Sequence, residues 1–549
     1  MGCKHSQAQA AVASRPKCLR DGCAFAKHTQ QPHGYCCNAC KANGQHGPLC
    51  EQQAFSMAAS TKQVVPATAP AAPAVLTGTT AGDRVSLTWA PSLLFGKTTS
   101  LGMEPSPELR ATETMHIVAH KGELFAAFGR WMDPKLQKGQ QPANFVGRLS
   151  AADGQWVPDM HRQGLSVHAL RITCLKSISW TRDCRGNELS PAVQQLTACY
   201  VLGEHGNMIM FRDDGDSSAP GTQHKWHETN YTGKVPGFKN SGTARAVVVY
   251  RDSVTGIDRI FALHGCKGVM TGVYDPQSSA PGHVVWNKEP ERMDLSQVGN
   301  GKATSLEFRP LSLVVANGKL FMSSASWILQ RIDGPEPVWK GIIDIAKVRQ
   351  GDGQLNEAVG GIRGMTAVKC PSLPDRESIL FCWNPNSNSE SWILRADPAE
   401  DGSLKQPVEE TSIRRVAKSY LKTEDLYYTL AAYNNMLPAS MGSQACHLIG
   451  FEIYLGRAAA PMGGLDSGQA KNAAGYWAGG GIAVRAGPDD YYMVEVGGRG
   501  SKTSRPLTAV RCFEHSPFPS EAGAIYFGGY DCNSNPSDNT AWIYKSKPA

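Results

Sequence analysis

The aspartates at positions 153, 214, 275, 333 and 397 are separated by 61, 61, 58 and 64 residues. Each closes a run of short apolar segments, and a tryptophan follows four of them: Trp156, Trp226, Trp286 and Trp339. The segments carry an apolar strand, then one rich in Ala, Gly and Phe, then one ending in a basic or aromatic residue before the Asp turn. Each unit has room for four short strands. Four-stranded units repeated radially define a β-propeller. A linear stack would need end units with a polar outer face, and the first and last segments read as ordinary strands. Closure also removes the long sheet edges that would otherwise aggregate. The expected fold class is therefore all-β, a β-propeller over residues 84–549 with seven blades, six being the alternative. The 56 Gly and 34 Pro fit the many turns this requires.

Beyond residue 400 the period stretches, and residues 408–436 read as a helical insertion. Strands resume with ACHLIGFEIYL and end with PLTAVRCFEH, AIYFGGYD and TAWIYKS. The segment Arg84–Trp89 is placed to complete the final blade and close the ring. That final unit, with Gly528-Gly529, Tyr530 and Trp542, resembles a kelch blade. No Trp-Asp dipeptide ends a blade, so WD40 signatures are absent. Taken over residues 110–546, including the ending SPFPSEAGAIYFGGYDCNSNPSDNTAWIY, the body resembles uncharacterised propeller proteins of bacteria and algae. The resemblance implies a fold and supplies no activity.

The head is a different object. Residues 1–51 hold six basic side chains and two acidic ones, so +4 of the chain's +7 lies there. The chain opens Met-Gly-Cys-Lys-His-Ser, which fits N-myristoylation at Gly2 with palmitoylation at Cys3. Two chains anchor stably where one does not, and Lys4 with its basic neighbours would add attraction to anionic lipid. The start resembles dually acylated signalling and flagellar proteins. Residues 1–17 are read as this anchor. No run of 18 apolar residues and no signal-peptide core occur, so neither a transmembrane helix nor secretion is expected. The expected location is the cytoplasmic face of a membrane, plasma or flagellar.

Residues 18–51 form a cysteine module spaced Cys18-x4-Cys23-x12-Cys36-Cys37-x2-Cys40-x9-Cys50. So short a segment needs cross-links in place of a core. One solution is a structural zinc on Cys18, Cys23, Cys37 and Cys40, with Cys36, His46 and Cys50 as alternative ligands. The other is three disulfides, in an order that resembles small knotted secreted peptides. A reducing cytosol favours zinc. The stretch Gly34–Cys40 with His46–Cys50 also resembles short Cys-rich modules of algal and protist proteins, and no activity comes with it. Residues 52–83 are a Pro/Ala-rich, extended linker.

No familiar catalytic motif appears: HExxH, GxSxG, a P-loop and an EF-hand loop are all missing. Polar residues in or beside the expected inner strands are His116, His120, His205, His264, Arg363, His447, Arg511 and Asp531. Of these, His116, His205, His264, Arg363, Arg511 and Asp531 are the candidates to line the channel. Cys266, Cys370, Cys382 and Cys512 read as buried thiols, with Cys370 and Cys382 as possible cross-strand neighbours. Two functions compete: a membrane-tethered interaction scaffold with a protein partner, and a lactonase-like propeller hydrolase with a channel metal. Convergent carboxylate, Asn or His ligands around a channel cavity would favour the enzyme; a plugged or apolar channel would favour the scaffold. Nucleic-acid binding through the basic head is a third reading, and the near-neutral body lends it no support.

Overall fold

The structure, a computed structural model, describes residues 87–94, 111–129, 145–161, 172–201, 206–215, 226–233, 244–263, 268–298, 310–356, 360–386, 389–422, 426, 428–431, 434, 436–441, 444–456, 475–496, 507–530 and 541–548. The anchor, cysteine module and linker expected over residues 1–83 lie outside them.

Strand β1 (Leu87–Leu94) comes first in the chain and is used last in the fold. The first blade is β2 (Glu113–His120), β3 (Glu123–Gly129), β4 (Phe145–Leu149) and β5 (Val157–His161). The second is β6 (Ile172–Arg182), β7 (Glu188–Val201), β8 (Asn207–Arg212) and β9 (Trp226–Asn230). The third is β10 (Val247–Arg251), β11 (Asp258–Leu263), β12 (Val269–Tyr274) and β13 (Val284–Trp286). The fourth holds β14 (Arg292–Asp294), β15 (Pro310–Ala316), β16 (Lys319–Ser324), β17 (Trp327–Ile332) and β18 (Val338–Asp344), with β14 parallel to β18. A short helix, α1 (Ile345–Val348), leads to the fifth: β19 (Gly361–Lys369), β20 (Glu377–Asn384), β21 (Trp392–Ala396) and β22 (Val408–Ser412).

Helix α2 (Ile413–Leu421) follows. Its N-cap Ser412 accepts a hydrogen bond from the Arg415 amide, and Ile413, Val416, Ala417 and Leu421 make one buried face. The helical insertion expected over 408–436 thus contains helix at 413–421, flanked by strands. The remaining strands are β23 (Tyr428–Ala431), β24 (Leu437–Met441), β25 (Gln444–Tyr454), β26 (Gly481–Gly487), β27 (Asp490–Glu495), β28 (Ala509–His515), β29 (Ile525–Tyr530) and β30 (Trp542–Pro548). Together with β1 they form one nine-stranded sheet.

The expectation of seven blades, or six, is corrected on this point: among the described residues, five blades stand as separate sheets. The cause is β25, whose 11 residues pair with β23, β24 and β26 and then reach β28 through Glu452 opposite Ala509. That single bridge joins strands that a spacing argument would part.

Local chemistry explains the hairpins. His120 pairs with Glu123 and Ala316 with Lys319 across two-residue turns, Lys121-Gly122 and Asn317-Gly318. All four turn residues have positive φ, the requirement of the type I′ turn that matches strand twist. The kelch-like Gly528-Gly529 has a different cause. A Cβ on Gly529 would lie 1.8 Å from the Ala509 carbonyl oxygen, so this strand crossing tolerates no side chain.

Each blade packs on the next through its own apolar cluster. Met115, Phe125, Leu175 and Leu196 join the first two blades, for example. The ring closes where Leu93, Tyr526 and Ile543 of the nine-stranded sheet meet Ile117, Phe128 and Trp156 of the first blade. Strand β1 makes this closure by pairing antiparallel with β30, Leu87 opposite Pro548 through Leu94 opposite Trp542.

Candidate functional site

The first strands of successive blades are neighbours around the ring: β2 against β6, β6 against β10, β10 against β15 and β15 against β19, with β28 beside β2. His116 sits on β2 and Arg511 on β28. The Arg511 guanidinium pairs with buried Glu113 at 2.5 Å. His116 Nε2 lies 3.0 Å from the Thr173 carbonyl oxygen. A carbonyl only accepts, so Nε2 carries the proton and Nδ1 is left as an acceptor, which faces Asn434 Nδ2 at 3.4 Å. Burial pushes the His116 pKa down to about 4; the Thr173 bond opposes this, and the charges of Arg511, Lys176 and Arg245 add to it. The ring is neutral at pH 7, with both nitrogens engaged. His447 is also lowered to about 4, by burial and then by the Arg485 charge, against the opposing Glu410 charge.

Asn434 touches two blades. Its amide donates to the Met115 carbonyl on β2 at 2.9 Å. Two residues on, the Met436 amide donates to Thr366 Oγ1 on β19 at 2.9 Å. A Cβ on Gly364 of β19 would lie 2.6 Å from the Asn434 carbonyl oxygen. Asn434 and buried Met436 therefore contact the first and fifth blades.

A second polar system repeats with the aspartate period. A cation stands two residues before the Asp in three units: Arg212 with Asp214, Arg331 with Asp333 and Arg395 with Asp397. These cations also take carboxylates from outer strands or neighbouring blades. Arg212 binds Asp159 of the preceding blade at 2.9 Å, and Trp226 Nε1 donates to the same carboxylate at 3.0 Å. Arg331 binds Asp252 at 2.7 Å and Glu291 at 2.9 Å. Glu410 on β22 takes Arg395 and also Arg485 of the nine-stranded sheet. The buried cations thus clip blade to blade.

At one joint the arrangement differs. His120, the last residue of β2 and 2% exposed, has Ser177 Oγ 2.8 Å from Nδ1 and Asp214 Oδ2 2.9 Å from Nε2. Asp214 also binds Lys121 at 2.8 Å and Arg212 at 2.5 Å. Burial works against its charge, but the bonds from His120, Lys121 and Arg212 hold it well below the usual carboxylate range.

Of the residues marked from sequence, the structure brings His116 and Arg511 to neighbouring strands, each bonded to a structural partner. Arg363 is wholly buried on β19, opposite Cys382 in register. His205, His264, Asp531, Gly2, Cys3, Cys18, Cys23, Cys36, Cys37, Cys40, His46 and Cys50 lie outside the described residues. Among those described, no group of three His, Cys, Asp or Glu side chains could hold a metal ion. Cys370 and Cys382 are buried thiols but not cross-strand neighbours, since Cys382 faces Arg363; the pair in register is Cys174 and Cys199. His120 and Asp214 were each visible in sequence, one as an inner-strand histidine and one as a period aspartate. Ser177 carried no signal there.

No protein-family model matches the sequence, and no curated protein matches it. Solved structures that are similar include the β-propeller domain of Cps50 (Swd1) from Myceliophteria thermophila, 12% identical, covering 80% of this chain and 97% of that one, TM-score 0.36. The six-bladed, fucose-recognising lectin of Aleuria aurantia is 10% identical, covers 73% of this chain and 100% of its own, and scores 0.32. A protein of unknown function from Dyadobacter fermentans is 9% identical, covers 84% and 98%, and scores 0.36. These likenesses carry no inference about activity. No helix among the described residues is long and apolar enough to cross a membrane.

Proposed function

We propose that the chain is a membrane-tethered scaffold whose propeller presents its loops to a protein partner. The observation that supports this best is that two of the described channel candidates, His116 and Arg511, are each taken up by structural partners. His116 Nε2 meets the Thr173 carbonyl and Nδ1 faces Asn434, and Arg511 pairs with Glu113. The metal-dependent hydrolase reading draws no support from this geometry. Tethering rests on the pattern Met-Gly-Cys-Lys-His-Ser, with Gly2 and Cys3 as acceptors, and implies the cytoplasmic face of a membrane. The basic head suits an anionic lipid surface, and nucleic acid is not favoured.

Gly2→Ala in the full chain is expected to move the protein from the membrane fraction to the soluble fraction on cell fractionation. An unchanged membrane fraction sinks the tether. Zinc on Cys18, Cys23, Cys37 and Cys40 is the reading of the cysteine module that accompanies a cytosolic location. Elemental analysis of the purified chain is expected to find one zinc per molecule, and three disulfides by mass would replace it.

A further inference from the structure

We propose that Ser177 is a nucleophile toward acyl esters, with His120 as its general base and Asp214 as the group that orients the imidazole. The three come from the end of β2, the middle of β6 and the turn after β8, so two blades must meet to make the set. The geometry assigns the protons. Asp214 is a carboxylate and only accepts, so the His120 nitrogen facing it, Nε2, carries hydrogen. In the neutral ring Nδ1 then offers a lone pair, and the Ser177 hydroxyl at 2.8 Å points its proton there. This is the nucleophile–base–orienter order of a serine hydrolase, with the two ring nitrogens exchanged.

The contrast with other joints separates this cluster from a structural clip. Asp258 takes the Thr181 hydroxyl directly at 2.7 Å and Asp333 takes Ser253 directly at 2.6 Å, and within the fifth blade Asp397 takes Ser378 directly at 2.6 Å. A clip needs no more than hydroxyl on carboxylate. At the β2–β6 joint an imidazole stands between them, and it is the element that can accept the hydroxyl proton and return it. Accessibility fits as well. His120 is buried, whereas Ser177 is half-buried beside the exposed Lys176.

The reaction balances on these three groups. Ser177 Oγ bonds to the ester carbonyl carbon while its proton moves to His120 Nδ1. The carbon–alkoxy bond breaks, and the departing alcohol takes that proton. Water then attacks the acyl-serine, giving its proton to Nδ1, and Ser177 leaves with it as the acid is released. Asp214 faces the imidazolium in both halves.

The test uses the full-length protein and a fluorophosphonate, whose phosphorus accepts the Oγ bond as fluoride leaves. Peptide mass analysis is expected to find the label on Ser177 and not on the exposed Ser403, whose hydroxyl meets Asp401 directly at 2.7 Å with no imidazole between. His120→Gln is expected to slow labelling at least ~100-fold, the usual size of a general-base contribution. Ser177 labelled no faster than Ser403 overturns the proposal, and so does a folded His120→Gln protein labelled at the wild-type rate. The first comparison needs only the wild-type chain, so it decides even where the buried histidine cannot be replaced without unfolding.

Discussion

Arg331→Met is expected to destabilise the propeller by about 3–5 kcal/mol, the cost of breaking a buried ion pair by removing one partner. Arg331 is 2% exposed, and its guanidinium is shared by Asp252, Glu291 and Asp333. Trp339 donates to the same Glu291 at 2.8 Å, and Tyr250 donates to Asp333 at 2.6 Å. Removing the cation leaves three carboxylates facing one another between the third and fourth blades. The control is Arg415→Ala, whose side chain is 56% exposed in its pair with Glu409; exposed pairs contribute about 0–1 kcal/mol. Denaturant midpoints of the two variants check this, and an Arg331→Met chain as stable as the control refutes it.

The same variant has a pH signature. Burial raises the Asp252 pKa, but hydrogen bonds from Thr255 and Arg331 and the Arg331 charge bring it from 3.8 to about 2. A carboxylate lowered on folding contributes stability above its unfolded pKa and loses it as the pH falls through the folded one. In the native protein this loss therefore runs from about pH 4 down to about pH 2. Without Arg331 the lowering shrinks, and the acid transition is expected to begin at higher pH.

A chain that begins at residue 95 is expected to be markedly less stable than one that begins at residue 87, and to associate through its exposed edge. The difference is β1. Its loss strips the outer partner from β30 along the whole register from Pro548 to Trp542, leaving a row of unpaired backbone groups. It removes Leu93, 1% exposed in the cluster that closes the ring, worth about 2 kcal/mol of burial. It also removes the Ser92 hydroxyl that accepts from Trp156 Nε1 at 2.9 Å, worth about 1 kcal/mol. Thermal melts and light scattering of the two truncations read both effects. Equal melting temperatures would mean that the ring closes by other contacts.

Much of the architecture was legible in the chain because its causes are local. Strand alternation, two-residue turns at Lys121-Gly122 and Asn317-Gly318, and the Arg-x-Asp step at Arg212, Arg331 and Arg395 act within a few residues. The period that marked five units is that of the aspartates, and the step accompanies three of them. Where the aspartate period stops, after Asp397, the division of the remaining strands was no longer readable, and the bridge from Glu452 to Ala509 merged them. Arg363, His116 and Arg511 lie on β19, β2 and β28. Sequence gave no means to see that His116 and Arg511 are consumed by Thr173, Asn434 and Glu113.

The sequence by itself determined that this chain is a ring of short strands with a cation before each repeated aspartate turn in three units. Its composition also concentrates basic residues and cysteines in residues 1–51. Only the tertiary structure decided which carboxylate from another blade each cation meets, that Asn434 bonds to β2, and that His120, Ser177 and Asp214 stand within hydrogen-bond reach. The physical reason is range. Turn chemistry and side-chain alternation are set by neighbours in the chain, whereas His120 and Asp214 lie 94 residues apart. They meet only because adjacent blades pack their first strands side by side.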